Sequence, residues 1–219
     1  MKEFLDILRN DHTDFDKGKL TDELKKIDPM LLFKKWYQEA FEKQCVSPNS
    51  MTVSTVGVDL MPSSRVVYLK DLLAEGLIFY TNYESEKGKQ IGENPQVSAL
   101  FFWDELSRQI RVQGKIEKAP EFISDEYFAS RPRGSQLGAW ASKQSEVISD
   151  RVSLEKELER VKKQFKNKEV PRPEFWGGYL IRPTYIEFWQ GRPNRLHDRI
   201  CFERNNVESE VWTVSRRNP

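Results

Sequence analysis

The sequence predicts a mainly β protein with flanking helices, an α+β chain whose strands run antiparallel. Two observations carry this. Between Met51 and Glu117, five segments rich in β-branched and aromatic residues alternate apolar and polar positions with a period of two. The segments follow one another closely, which favours an antiparallel sheet or barrel over a doubly wound parallel sheet, where each connection needs a long crossover.

Taken in order, residues 1–27 are charged and sparsely apolar, and read as a short helix followed by an arm. "DPMLLFKKWYQEAFEKQ" reads as a helix: Asp28 caps it, Pro29 suits its first turn, and Phe33, Trp36, Tyr37, Ala40 and Phe41 recur at helical spacing. The strands are "MTVSTVGV", "SRVVYLK", "GLIFYTNY", "VSALFFW" and "RQIRVQGKIEK". In the last, Ile110, Val112 and Ile116 share one face, and Gln109, Arg111, Gln113 and Lys115 the other. One helix interrupts them, "EKGKQIGEN", capped by Ser85 and followed by Pro95. A helical middle comes next: "APEFISDEYFASRP", then "SLEKELERVKKQFKN" with Leu154, Leu158, Val161 and Phe165 on one stripe. After the proline-rich "VPRPEFWGG" the strands "YLIRPTYIEFWQ", "DRICFER" and "EVWTVS" have no core of their own and complete the first sheet. Residues 28–219 therefore read as one domain, with 1–27 as an N-terminal arm.

Composition narrows the function classes. Among 219 residues, Lys and Arg number 35 against 34 for Asp and Glu, which argues against a nucleic-acid or membrane partner and makes any anion site local. No apolar run approaches the ~20 residues that span a bilayer. Cys45 and Cys201 lack CxxC spacing, so neither a disulfide framework nor a zinc site is expected, and no metal is assigned. The charged start does not read as a secretory signal, and a cytoplasmic location is expected.

Four stretches carry candidate chemistry. In "SRVVYLK", Arg65 and Lys70 mark the ends of a strand whose apolar residues are expected to pack inside. Thr81, Ser85 and Lys87 then sit where a strand gives way to a helix, and exposed N–H groups there favour a phosphate. "YFASRPRGSQLGAWASKQS" gathers Tyr127, Arg131, Arg133, Ser135, Gln144 and Ser145. It reads equally as an anion site, for which guanidinium forks and hydroxyls suit phosphate, or as an exposed loop, with Trp140 suggesting close packing near a ligand or another chain. "WQGRPNRLHDRI" crowds Arg192, Arg195 and Arg199 around His197. An external anion, an internal carboxylate and plain solvation all remain open, and Asp198 can balance one arginine. Buried beside arginines, His197 would stay neutral and serve as a hydrogen-bonding or positioning group. No GxSxG elbow supports a hydrolase.

Together and in this order, "RVVYLK", "FYTNYESEKGKQI", "RQIRVQGKIEK", "YFASRPRGSQLGAWASKQS", "PRPEFWGG" and "IEFWQGRPNRLHDR" resemble the pyridoxine (pyridoxamine) 5′-phosphate oxidase family from about Pro29 to the C-terminus. The resemblance implies an FMN-binding split β-barrel and a homodimer with FMN at the subunit interface. It implies oxidation of pyridoxine or pyridoxamine 5′-phosphate to pyridoxal 5′-phosphate, with oxygen as acceptor and hydrogen peroxide released. By similarity, the run from Arg65 through Val66, Val67, Tyr68 and Leu69 to Lys70 lies along the FMN. Tyr80, Thr81, Lys87, Gln109, Gln144, Ser145, Trp189 and Arg199 would complete the cofactor site, partly from the other subunit. Lys70, Tyr127, Arg131 and Ser135 would hold the substrate phosphate. Arg195 and His197 would bracket the pyridine ring as the catalytic pair. The chain departs from the family pattern at Glu86, where an arginine is common, and at Arg217, where a leucine is usual. "LRNDHTDF" matches the family's substrate lid only loosely, so Arg9 and His12 receive no firm role.

Overall fold

The period-two segments become strands in a computed structural model that describes residues 14–219. The strands among the described residues are β1 (Ser50–Val56), β2 (Pro62–Tyr68), β3 (Asp71–Leu73), β4 (Gly76–Asn82), β5 (Gln96–Trp103), β6 (Arg108–Lys118), β7 (Trp176–Gln190), β8 (Asp198–Glu203) and β9 (Thr213–Arg216). The sheet path is β2-β1-β5-β6-β7-β4-β3, with β8 on β7 and β9 on β8. The pairs β1–β2, β3–β4, β4–β7, β7–β8 and β8–β9 are antiparallel. The late strands thus complete the sheet begun by the early ones. The helices are α1 (Pro29–Glu42), α2 (Glu86–Glu93), α3 (Glu121–Ser130), α4 (Arg133–Ala141) and α5 (Arg151–Gln164).

The chain divides into two compact units. One holds residues up to 48, 100–111 and 185–219; the other holds 49–99 and 112–184. In the first, Asp28 caps α1 by accepting from the backbone N–H groups of Met30 (2.9 Å) and Leu31 (3.0 Å), as its sequence predicts. The buried face of α1 sets Phe33 edge-on to Phe101 and Trp36 edge-on to Phe188, at centroid distances of 5.2 and 5.1 Å. Fully burying such side chains contributes about 1.5–3 kcal/mol each. Phe41, placed on the same stripe by periodicity, is exposed instead. A single 3₁₀ turn (Asp22–Lys26) stands in the described part of the N-terminal arm; Arg9 and His12 lie outside the described residues.

In the second unit α3, α4 and α5 share a core of Phe128, Leu137, Ala141, Val161, Phe165, Val170 and Trp176. Trp140 belongs to this packing: its indole N–H donates to the Pro171 carbonyl at 2.8 Å and its ring lies 5.3 Å from Phe165. The open choice between loop and site over 131–145 resolves partly into helix α4. Arg133 serves that helix bundle, donating to the Phe165 and Lys168 carbonyls at the end of α5. The strand "SRVVYLK" also differs from expectation. It ends at Tyr68, so Arg65 is central and Lys70 lies beyond it, and Val66 and Tyr68 are 62% and 51% exposed rather than packed inside.

Candidate functional site

A cavity of about 670 Å³ opens within the second unit. It is lined from β2 and the residues after it, from β4, from the start of α2, and from α3, α4 and the first residue of β7. Four cations face it, Arg65, Lys70, Lys87 and Arg131, and no carboxylate among the described residues lines it.

Arg65 is aimed by register. Thr55 of β1 pairs with Ser63 of β2, and Arg65, two residues on, folds back over both. Its Nη1 donates to Thr55 Oγ1 (2.6 Å) and the Ser63 carbonyl (2.8 Å), and its Nη2 donates to Ser63 Oγ (2.7 Å). Lys87 is placed by α2. Ser85 caps this helix, its Oγ accepting from the Gly88 N–H at 3.3 Å, and the buried Lys87 Nζ donates to Thr81 Oγ1 (3.2 Å) and Ser85 Oγ (3.3 Å). Burial first, and the neighbouring Arg65 charge second, bring the Lys87 ammonium down to about 8, with Glu86 opposing. Gln144 joins through its Oε1, which accepts from Thr81 Oγ1 at 3.0 Å and the Asn82 N–H at 3.4 Å. Glu86 itself is exposed and accepts from Ser63 Oγ (3.4 Å) and Gln90 Nε2 (3.3 Å), behind Arg65.

Arg131 follows α3 and stacks its guanidinium 4.5 Å above the Trp176 ring. Its Nη1 is buried and has no hydrogen-bond partner among the described residues, and burial lowers its pKa. An unpaired buried donor costs roughly 1–3 kcal/mol, more on a charged group, and an anionic oxygen would recover it. Beside it, Tyr80 and Tyr127 stack at 3.8 Å with Trp176 parallel to both. Burial pushes the Tyr80 hydroxyl up to about 12, so it remains a neutral donor. Ser135 completes this side of the cavity. The donor set therefore fits two phosphate groups and a flat ring. Leu69 is buried and does not line the cavity; Ser145 is exposed next to Gln144, with a left-handed φ of 74°.

The remaining predicted residues lie in the first unit. Gln109 is half-buried on β6, and Trp189 of β7 pairs in register with Arg199 of β8. The turn between these strands holds Asn194 and Arg195 at φ of 56° and 59°, left-handed conformations that cost non-glycine residues about 1–3 kcal/mol each. His197 lies 4.7 Å from the Trp189 ring, with Phe15 edge-on to both. Its Nδ1 accepts the Arg192 backbone N–H at 3.1 Å, which leaves the proton of the neutral ring on Nε2. Burial first, then the Arg195 charge, holds its pKa below the usual histidine range.

The choice left open for "WQGRPNRLHDRI" divides by residue. Arg192 is structural, donating to the Gly18 carbonyl at 2.8 Å and lying 3.6 Å from Asp198. Arg199 has an internal carboxylate that the sequence reading missed, buried Glu187 at 2.6 Å. A lone acid in the apolar run "YIEFW" was the available signal. Arg217 pairs with Glu203 and lies 5.7 Å over the Tyr185 ring, a concrete packing role for that departure. Among the described residues, no helix is long and apolar enough to cross a membrane.

Residues 37–165 match the family model described as pyridoxamine 5′-phosphate oxidase, and residues 176–219 match the pyridoxine 5′-phosphate oxidase C-terminal dimerisation region. A pyridoxine/pyridoxamine 5′-phosphate oxidase of Flavobacterium johnsoniae is 50% identical over 210 residues, covering 95% of this chain and 97% of its own. One from Gloeothece citriformis is 48% identical over 192 residues, covering 88% and 89%. Among solved structures, PhzG from Burkholderia lata, in complex with tetrahydrophenazine-1-carboxylic acid, aligns with a TM-score of 0.83 at 28% identity, covering 91% of this chain and 98% of its own. A pyridoxamine 5′-phosphate oxidase-related, FMN-binding protein from Nostoc punctiforme aligns with a TM-score of 0.68 at 15% identity, covering 88% and 99%.

Proposed function

Because this chain belongs to the pyridoxamine 5′-phosphate oxidase family, an FMN-dependent oxidoreductase family of split-barrel fold, we propose that it oxidises pyridoxine or pyridoxamine 5′-phosphate to pyridoxal 5′-phosphate. One observation supports this most: among the described residues, a cavity with four cations, no carboxylate and a buried arginine N–H left without a partner. Such a site suits two phosphate esters, that of the cofactor and that of the substrate. In our reading Arg65, Thr81, Lys87 and Gln144 take the FMN phosphate, and Val66, Val67 and Tyr68 follow the flavin. Lys70, Tyr127, Arg131 and Ser135 take the substrate phosphate.

Bound FMN would supply the redox chemistry, a two-electron acceptor for the oxidised substrate carbon and a route for those electrons to oxygen, with hydrogen peroxide as the by-product. The chain's own residues orient and shield. Gln109, Trp189 and Arg199 would hold the flavin, while Arg195 and His197 bracket the pyridine ring. His197 offers Nε2–H as a donor, and its Nδ1 is already engaged by the backbone, so the ring neither rotates nor changes tautomer freely. Arg195 is exposed and is presented from a turn whose backbone is held in the left-handed region. This is catalysis by placement, which can supply several kcal/mol.

The same reading places FMN at the interface of a homodimer, treats residues 28–219 as one domain behind an N-terminal arm, and assigns the enzyme to cytoplasmic pyridoxal phosphate synthesis. The test is direct. Purified protein mixed with FMN and pyridoxine 5′-phosphate in air should form pyridoxal 5′-phosphate and peroxide in equal amounts. A flavin-loaded protein that makes neither would refute the reading. Arg195→Ala should lower turnover by at least about a hundredfold while leaving FMN content unchanged, since it removes placement of the substrate alone.

A further inference from the structure

Among the described residues of the first unit Glu187 is the most deeply buried acid, only 2% exposed, and the mechanism above gives it no task. Its Oε2 gathers four neighbours. Arg199 Nη2 donates to it at 2.6 Å, and the Tyr185 hydroxyl donates at 2.7 Å. Arg111 Nη1 lies at 3.6 Å and Cys201 Sγ at 3.7 Å. Burial alone would raise this carboxyl, yet the hydrogen bonds from Arg199 and Tyr185 outweigh it and hold it below the ordinary range. It is a permanent anion facing two guanidinium groups.

The geometry restricts one of those groups in particular. Arg199 gives Nη2 to Glu187 and Nη1 to the Asn218 carbonyl at 2.8 Å. Two anchors in different directions fix the plane of a guanidinium that has five N–H donors, and so fix where the others point. Tyr185 steadies the carboxylate, and Arg217 covers the Tyr185 ring. The device runs across three neighbouring strands, because Glu187 pairs with Cys201 and Cys201 with Ser215 in register.

We infer that Glu187 is a positioning residue for FMN binding, acting through Arg199 by fixing its guanidinium plane from behind. The inference rests on the reading that Arg199 contacts the flavin. It predicts coupling rather than mere damage. In FMN titrations of the apoprotein, followed by quenching of flavin fluorescence, Arg199→Ala should weaken binding by about tenfold or more. Glu187→Gln should weaken it about as much, and should add less than about twofold in the Arg199→Ala background.

Tyr185→Phe, which leaves no unpaired buried charge, should weaken binding about threefold alone and have no effect beside Arg199→Ala. This second cycle decides the matter if Glu187→Gln does not fold, as judged by the melting of the apoprotein. Independent, multiplying effects in either cycle would overturn the positioning role, as would unchanged affinity in a folded Glu187→Gln protein. Unchanged affinity in Arg199→Ala would instead overturn the underlying reading, so the two failures are distinct.

Discussion

Lys87 bears its charge at a cost set by burial, and that cost has a sign that can be measured. Its pKa falls from an ordinary 10.5 to about 8. Below about pH 8 the folded and unfolded chains both hold the proton, so stability is independent of pH through this group. From about 8 to 10.5 the unfolded chain holds more protons, and the stability of the FMN-free protein rises with pH. Phosphate binding runs the other way, because an anion favours the charged lysine. FMN affinity should therefore fall above about pH 8, by at most about tenfold per pH unit, in fluorescence titrations at constant ionic strength. Lys87→Met should bind weakly and show a flat profile over the same range. The sequence made Lys87 legible through its local setting, a hydroxyl cap and a helix start. It did not reveal Thr55 or Glu187, because their partners Arg65 and Arg199 lie 10 and 12 residues away and meet them only through strand register.

At the scale of elements, α2, capped by Ser85, delivers Lys87 to the cavity, and one glycine fixes how close it comes. A Cβ on Gly88 would stand 2.0 Å from the Tyr83 carbonyl oxygen, a backbone atom that has nowhere to go, whereas a Cβ on Gly92 of the same helix meets nothing within 4 Å. Gly88→Ala should cost about 2–3 kcal/mol by overpacking, a fall of roughly 4–12 °C in melting temperature, and should weaken FMN binding as the helix start moves. Gly92→Ala should raise the melting temperature by roughly 1–3 °C, since it only improves helix propensity. Elements with a clear period were legible, including α2 with its cap and β6 with Ile110, Val112 and Ile116 all buried. Two were not. The three residues of β3 are too few to show a period, and α4 follows Pro132, which offers no side-chain cap, and carries two glycines. The exposed Val66 and Tyr68 of β2 were misplaced for another reason: alternation tells which residues share a face, not what covers it.

At the scale of the molecule, the predicted site residues are divided between the two units, with the phosphate-binding set in one and Gln109, Trp189, Arg195, His197 and Arg199 in the other. The dimerisation region covers most of the second set, and β2 leaves Val66 and Tyr68 exposed beside the cavity, apolar surface of the kind a partner chain covers. If each active site joins the phosphate set of one chain to the aromatic and arginine set of another, two crippled chains should rescue each other. Arg131→Ala damages the first set and Arg195→Ala the second, and each alone should be nearly inactive. Unfolded together in equal amounts and refolded with FMN, they should form mixed dimers for about half the population. In such a dimer one site carries both lesions and the other carries none. Activity should then return to roughly a quarter of the unmutated level. If both sets came from one chain, every site would keep a lesion and the mixture would stay inactive. The same mixture refolded from two Arg131→Ala preparations is the control, since it should recover nothing in either case.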